Sequence, residues 1–264
     1  MSFADKVIEE LGITEPDEID LEAVAWHLGA KIKYEDMDSC EACIVGANNR
    51  AIIRVSTKVR PERQRFSIGH ELGHWCHHRN QPLFCKPEEV GANGSKVRDP
   101  KEKTADSYAS DLLMPRSVFN PVARQFKSLN FDTIRQIART FKTSITSTAI
   151  RLVEGDHSPS MLVCHGQKGR KWFSRSKSVP ERWFPQTDLD RQSGAFDVQF
   201  GQGVEQRYPQ RIGADAWFDR YDASWYEVQE QTIRTMPGET LTLLLFRDQK
   251  MLTEDEDRRS SPRR

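Results

Sequence analysis

The chain has 264 residues, and its 39 lysines and arginines balance 39 aspartates and glutamates. Zero net charge excludes a global electrostatic pull toward nucleic acid or membrane, though not a local basic patch. No apolar run approaches the ~20 residues that span a bilayer, the opening Met1-Ser2-Phe3-Ala4-Asp5-Lys6 lacks a signal-peptide pattern, and five cysteines, an odd number, argue against a fully paired secreted framework. The expectation is a cytoplasmic protein of one to two domains.

Residues 19–29 predict a short amphipathic helix, with Asp20 suited to cap its start and Gly29 its end. His27 on that helix reads as structural. Residues 31–34, 43–45 and 51–55 read as strands, the last two joined by a turn near Ala47-Asn48-Asn49-Arg50. Cys40-x-x-Cys43, with Cys76 and Cys85 further on, reads as unrelated thiols, because no second tight pair completes a tetrahedral zinc set. A sharper alternative has one of these thiols capping a resting metal, which would make activity redox-dependent.

Residues 61–78 predict a helix, since Pro61 is tolerated in a first turn whose amide would be unpaired anyway. Within it, His70-Glu71-Leu72-Gly73-His74 spells His-Glu-x-x-His. Residues four apart share a helix face, so His70 and His74 can each turn a ring nitrogen to one metal ion. Zinc accepts imidazole at about 2.0–2.1 Å, and a catalytic zinc takes three protein ligands with a fourth position open to water. Glu71 is then the expected general base for hydrolysis of a peptide bond. Gly69 and Gly73 cost helix propensity, which points to a close backbone approach near the site. The bland alternative is a buried helix with two satisfied histidines.

A third ligand is needed. His78 continues the spacing but would lie about 12 Å from His70 along a continuous helix, and Asn80 stands where a longer zinc motif has its ligand. Residues 99–115 do better. Ala105, Tyr108, Ala109, Leu112 and Leu113 recur at helical spacing up to a stop at Pro115, with Glu102 and Asp106 one turn apart. Glu102 is the expected third ligand, and Asp106 the carboxylate that hydrogen-bonds a ligand histidine and fixes its tautomer. Taken alone, the pair would read as a solvated acidic face. Tyr108, His77 and His78 are candidates for stabilising an oxyanion, and manganese or another divalent ion suits the same ligands as zinc.

The run Arg63-Gln64-Arg65-Phe66-Ser67-Ile68-Gly69-His70-Glu71-Leu72-Gly73-His74, followed by Glu102-x-x-Ala105-Asp106-x-Tyr108-Ala109-x-x-Leu112-Leu113-Met114-Pro115, resembles the ImmA/IrrE family of zinc metallopeptidases. The resemblance implies a zincin-like α+β core, a small antiparallel sheet plus helices. It also implies a cytoplasmic bacterial or phage endopeptidase that cleaves a helix-turn-helix repressor of the Xre/Cro type and so switches on its operon. Tyr108 stands where the family usually has phenylalanine, and Thr104 where a glutamate often precedes the alanine. The second change leaves Glu102 as the nearby carboxylate for the ligand role. An edge strand beside such a helix can bind an extended substrate by strand addition, so residues 52–56 or their partner strand form the expected rail.

Residues 79–100 read as a long irregular connection, a lid over the cleft or an inert excursion. Residues 131–141 and 144–153 predict two helices around a short turn, spaced as in a helix-turn-helix. This pair carries the rival function, a DNA-binding or partner-sequestering regulator whose zinc site is structural or vestigial. Its would-be recognition helix offers only Arg151 as a cation, Lys142 fills a turn position that often has glycine, and Arg124, Lys127, Arg135 and Arg139 could contact phosphates without reading sequence. After about residue 155 the texture changes to short apolar runs at 161–164, 171–174, 225–233 and 240–246, which read as a mainly antiparallel β domain. The aromatic pairs Trp172-Phe173, Trp183-Phe184, Trp217-Phe218 and Trp225-Tyr226 read as its core. The expected organisation is a metallopeptidase domain at 1–120, the helical pair at 121–155, the β-rich domain at 156–251 and a disordered tail at 252–264.

Overall fold

The structure, a computed structural model, describes residues 2–38, 40–79, 99–201 and 203–253. The interior of the expected 79–100 excursion, Cys85 and the expected tail beyond Thr253 lie outside the described residues. The chain divides into two units. The first takes the described residues up to Lys127 together with Ile134–Thr148, and the second takes Ser128–Thr133 and the described residues from Ala149 onward.

The first unit opens with helix α1 (Phe3–Glu10), started by a capping box in which Ser2 and Asp5 bond each other's backbone amides. Helix α2 (Leu21–His27) follows. Asp20 caps it, its carboxylate accepting from Glu22 N at 2.8 Å and Ala23 N at 3.3 Å. Asp20→Ala is expected to cost about 1 kcal/mol by urea denaturation, the usual worth of such a cap.

Strands β1 (Ala30–Glu35), β2 (Ala42–Ala47) and β3 (Arg50–Ser56) form a sheet in the order β1-β3-β2. Asn48 and Asn49 make the β2–β3 turn at φ 50° and 61°, the left-handed pair that a two-residue hairpin needs and that asparagine tolerates. The sheet is mixed, a correction to the antiparallel expectation: β2 pairs antiparallel with β3, but β1 pairs parallel with it. Because the hairpin returns the chain between β1 and β2, β3 becomes the middle strand and runs with β1. Its side chains alternate, Ile53 and Val55 buried, Ile52 and Arg54 outward.

Helix α3 (Pro61–His77) starts with Pro61 in its first turn and is buried from Ser67 through Trp75. Trp75 sits on β2, where a Cβ on Gly46 would come within 2.3 Å of its ring, and its Nε1 donates to the Leu28 carbonyl at 2.8 Å. Helix α4 (Pro100–Leu113), capped by Asp99, crosses α3 at close range. A Cβ on Gly69 would lie 3.1 Å from Ala109 Cα, and one on Gly73 2.8 Å from Ala105 Cα. The two glycines and two alanines, each pair one turn apart, let the helix backbones approach.

Helix α5 (Arg116–Arg124) places Phe119 against Phe141, ring centres 5.2 Å apart. Helices α6 (Phe131–Phe141) and α7 (Ile145–Glu154) enclose a turn in which Lys142 takes φ 54°, the left-handed value for which glycine is the common choice. Both helices are shared between the two units. Arg151, the lone cation of α7, is buried. No helix among the described residues is long and apolar enough to cross a membrane.

The second unit is built on an antiparallel sheet of β4 (Ser160–Gly166), β5 (Gly169–Arg175), β6 (Gln210–Gly213), β7 (Glu227–Met236) and β8 (Glu239–Leu245), in the order β5-β4-β8-β7-β6. Helix α8 (Gly194–Phe200) and the short α9 (Gln249–Leu252) complete it. Trp183, Trp217 and Phe218 are buried in its core, but Phe184 and Trp225 are exposed, so the aromatic pairs do not all turn inward. Glu230 is a buried carboxylate with its oxygens engaged by Ser193 Oγ, Trp217 Nε1, Gly194 N and Gln206 Nε2 at 2.6–3.1 Å, as a charge removed from water requires.

Candidate metal centre

His70 and His74 lie on the buried face of α3, and Glu102 in the first turn of α4. The α3–α4 crossing brings the three together. His70 Nε2 is 3.0 Å from His74 Nε2 and 3.1 Å from Glu102 Oε2, and His74 Nε2 is 3.3 Å from Glu102 Oε1. Their donor atoms all fall within 4.8 Å of one another, and all three side chains are buried. Tetrahedral zinc with bonds of about 2.05 Å needs ligand–ligand edges of about 3.3 Å, so the cluster has the size and donor chemistry of a divalent-cation site. No cysteine belongs to the cluster among the described residues.

The far nitrogens of the two imidazoles are also engaged. His70 Nδ1 is 2.8 Å from Asp106 Oδ1, the contact expected of that carboxylate. His74 Nδ1 is 3.1 Å from His78 Nδ1. His78 therefore stands behind His74 rather than beside the cluster, which removes it as an oxyanion group. The signal was present in the sequence, because His78 keeps the four-residue spacing from His74. That spacing brings a side chain to its neighbour's outer edge, not to its partner's ligand.

Burial and the adjoining rings of His70 and His78 push the His74 pKa down to about 3, so His74 is neutral at ordinary pH, the form that ligates. Glu71 is buried at 2% exposure, and burial, reinforced by Glu102 and opposed by His70, raises its pKa to about 7. A carboxylate with that proton affinity is suited to take and return a proton near neutrality.

The other expected groups sit elsewhere. Tyr108 packs on Phe3 and His77, and its hydroxyl is 3.8 Å from Cys76 Sγ. His77 also meets Phe3 edge-on. Both are thus held by α1, and neither is placed as an oxyanion donor. Burial raises the Cys76 thiol, which disfavours the thiolate that a metal cap needs. Cys43 lies on β2 and Cys40 two residues before that strand, and burial raises the Cys43 thiol. Of the two strands proposed as a substrate rail, β3 has both edges paired, and β2 keeps one edge open within its sheet.

Residues 25–153 match the IrrE N-terminal-like domain. They belong to the ImmA/IrrE family. The family match spans both helices of the cluster and the sheet beneath them. Within it, the chain is 27% identical over 114 residues to the radiation response metalloprotease IrrE of Deinococcus deserti, an alignment covering 43% of this chain and 40% of that protein. The chain thus spans less than half of that ImmA/IrrE relative. A transcriptional regulator of Mycobacterium tuberculosis has a similar fold over 92% of this chain and 74% of its own, with TM-score 0.57 at 16% identity.

Proposed function

We propose that the chain is a zinc-dependent endopeptidase that cleaves a helix-turn-helix repressor of the Xre/Cro type and so relieves repression of its operon. The observation that carries this reading is the convergence of His70, His74 and Glu102 with Glu71 buried next to them. The radiation response metalloprotease supports the peptidase reading, and the neighbour described as a transcriptional regulator supports a place in gene regulation.

In this reading His70 and His74 ligate through Nε2 and Glu102 through its carboxylate. The bound ion supplies Lewis acidity, polarising the scissile carbonyl and acidifying water. Manganese would serve the same ligands if it were the available ion. Glu71 takes the proton from the attacking water and returns it to the departing amide nitrogen. Asp106 accepts from His70 Nδ1–H, and the His78 ring accepts from His74 Nδ1–H through its own unprotonated Nδ1. Each contact leaves the Nε2 lone pair of its partner available. The open edge of β2 binds the substrate as an added strand.

Replacing Asp106 by alanine, or His78 by phenylalanine, is expected to weaken zinc binding by about 10–100-fold, the usual effect of losing such an outer partner. Competition with a chromophoric chelator measures it, and unaltered affinity in both variants would remove the assigned roles.

The deciding experiment incubates candidate repressors with the zinc-loaded protein, its Glu71→Gln variant and a chelator-treated control, reading products by mass spectrometry. Cleavage at one position by the first sample alone is the expected result. No cleavage by the zinc-loaded protein, with repression relieved equally by wild type and Glu71→Gln, would favour the non-catalytic regulator instead.

A further inference from the structure

In the second unit Tyr221 and Trp225 form a contacting pair of aromatic rings that both face solvent, 74% and 60% exposed. Their centres are 5.7 Å apart and their planes meet at 86°. A right-angled pair leaves a corner bounded by a face of each ring, and the face is the negative side of the aromatic quadrupole. The corner is open to anything that approaches the surface.

The segment that carries the rings is fixed. Trp217, Phe218, Asp222 and Ala223 are buried beside them. Arg220 donates to both carboxylate oxygens of Asp222, at 3.0 and 3.3 Å, and lies 5.4 Å from the centre of the Trp183 ring. Ala223 N donates to the Arg220 carbonyl at 3.1 Å, Trp225 N to that of Asp222 at 3.2 Å and Tyr226 N to that of Ala223 at 3.0 Å. Tyr221 and Trp225 are thus turned outward from a turn whose other side chains are anchored in the core, so a docking partner has little left to order. Charge favours a cation there. Between residues 215 and 227 the chain has Asp215, Asp219, Asp222 and Glu227 against Arg220 alone. Asp215, Asp219 and Glu227 are exposed, and Arg220 is held by Asp222.

We propose that this corner receives an arginine side chain of a partner protein. A guanidinium lies flat on a ring face while its edge N–H groups stay free for carboxylates, which the compact ammonium of lysine cannot match. The open outer side suits a side chain brought in on a protein surface, whereas a small free cation needs aromatic walls on several sides. Arginine, tyrosine and tryptophan are also the residue types that dominate the energetics of protein interfaces. The assignment is independent of the peptidase reading, because every group involved belongs to the second unit.

The full chain labelled with 5-fluorotryptophan, its Trp225 resonance assigned from a Trp225→Phe sample, is titrated with the peptide acetyl-Gly-Arg-Gly-Arg-Gly-amide and followed by fluorine NMR. Two matched peptides carry lysine or citrulline in place of arginine, citrulline being the uncharged isostere. The arginine peptide should shift the Trp225 signal saturably with Kd below about 5 mM, the lysine peptide should bind about threefold more weakly or worse, and the citrulline peptide should give no saturable shift. Tyr221→Leu should weaken arginine binding about threefold or more, the effect of losing one exposed cation–π contact. As a surface substitution it should melt within about 2 °C of wild type. No shift by the arginine peptide up to about 20 mM, an equal response to lysine or citrulline, or wild-type affinity in Tyr221→Leu would overturn the proposal. A larger fall in Tm would do so too, by showing that the ring serves the fold.

Discussion

Glu71→Gln is expected to slow repressor cleavage by about 10²–10⁴-fold, the contribution of a positioned general base, while metal content stays at one ion per chain. The substitution keeps size and hydrogen-bonding shape and removes only the capacity to hold a proton in transit. Its effect on stability has the opposite sign. Burial raises the Glu71 pKa from 4.5 to about 7, so the folded metal-free protein holds this proton more tightly than the unfolded chain does. The carboxylate therefore costs the fold nothing below pH 4.5, and the cost grows as pH rises toward 7 and is complete above it. Glutamine carries no such cost. In thermal melts of metal-free protein the variant should match wild type near pH 4 and exceed it near pH 8. A variant that loses its ion, or melts below wild type at pH 8, would assign Glu71 to structure instead.

Gly73→Val should lower stability by about 1–3 kcal/mol, the range for overpacking a close contact, and weaken zinc binding about tenfold or more. At this position a Cβ already meets Ala105 Cα at 2.8 Å, the Ala105 carbonyl oxygen at 3.0 Å and Tyr108 Cβ at 3.1 Å. Two of these are backbone atoms, so the clash is relieved only by moving α4 away from α3. Glu102 rides on α4 one turn before that contact, and its carboxylate would leave the two rings. Valine gains some helix propensity over glycine, under ~1 kcal/mol, which is too little to offset the clash. Gly69→Ala is the milder companion, with its closest approach at 3.1 Å to Ala109. Urea melts and chelator competition check both quantities. Wild-type metal affinity in Gly73→Val would show that Glu102 does not depend on the close crossing.

The elements that carried chemistry were the legible ones. α4 has a periodic apolar face and a proline stop, and both α3 and α4 carry a proline in the first turn, all of them local signals. The β2–β3 hairpin was equally plain because Asn48 and Asn49 suit a left-handed turn. α1 and α5 carry weaker local signals. The first is eight residues long and marked chiefly by the Ser2–Asp5 cap, and the second carries Pro121 inside it, which normally argues against a helix. β6 has four residues with little burial contrast, and α8 only seven, too few for a period to show.

By itself the sequence determined that two imidazoles share one helical face with a glutamate beside them, and that Glu102 and Asp106 share another, since i and i+4 proximity is a property of any helix. Tertiary structure decided how the two faces meet. Pairing of distant segments follows from packing and chain closure, which local propensity does not encode. The glycine–alanine crossing brought Glu102 to the rings, and the placement of β3 in the middle of the sheet left β2 with an unpaired edge within it. The same packing set His78 against the outer nitrogen of His74 and drew Tyr108 and His77 toward Phe3.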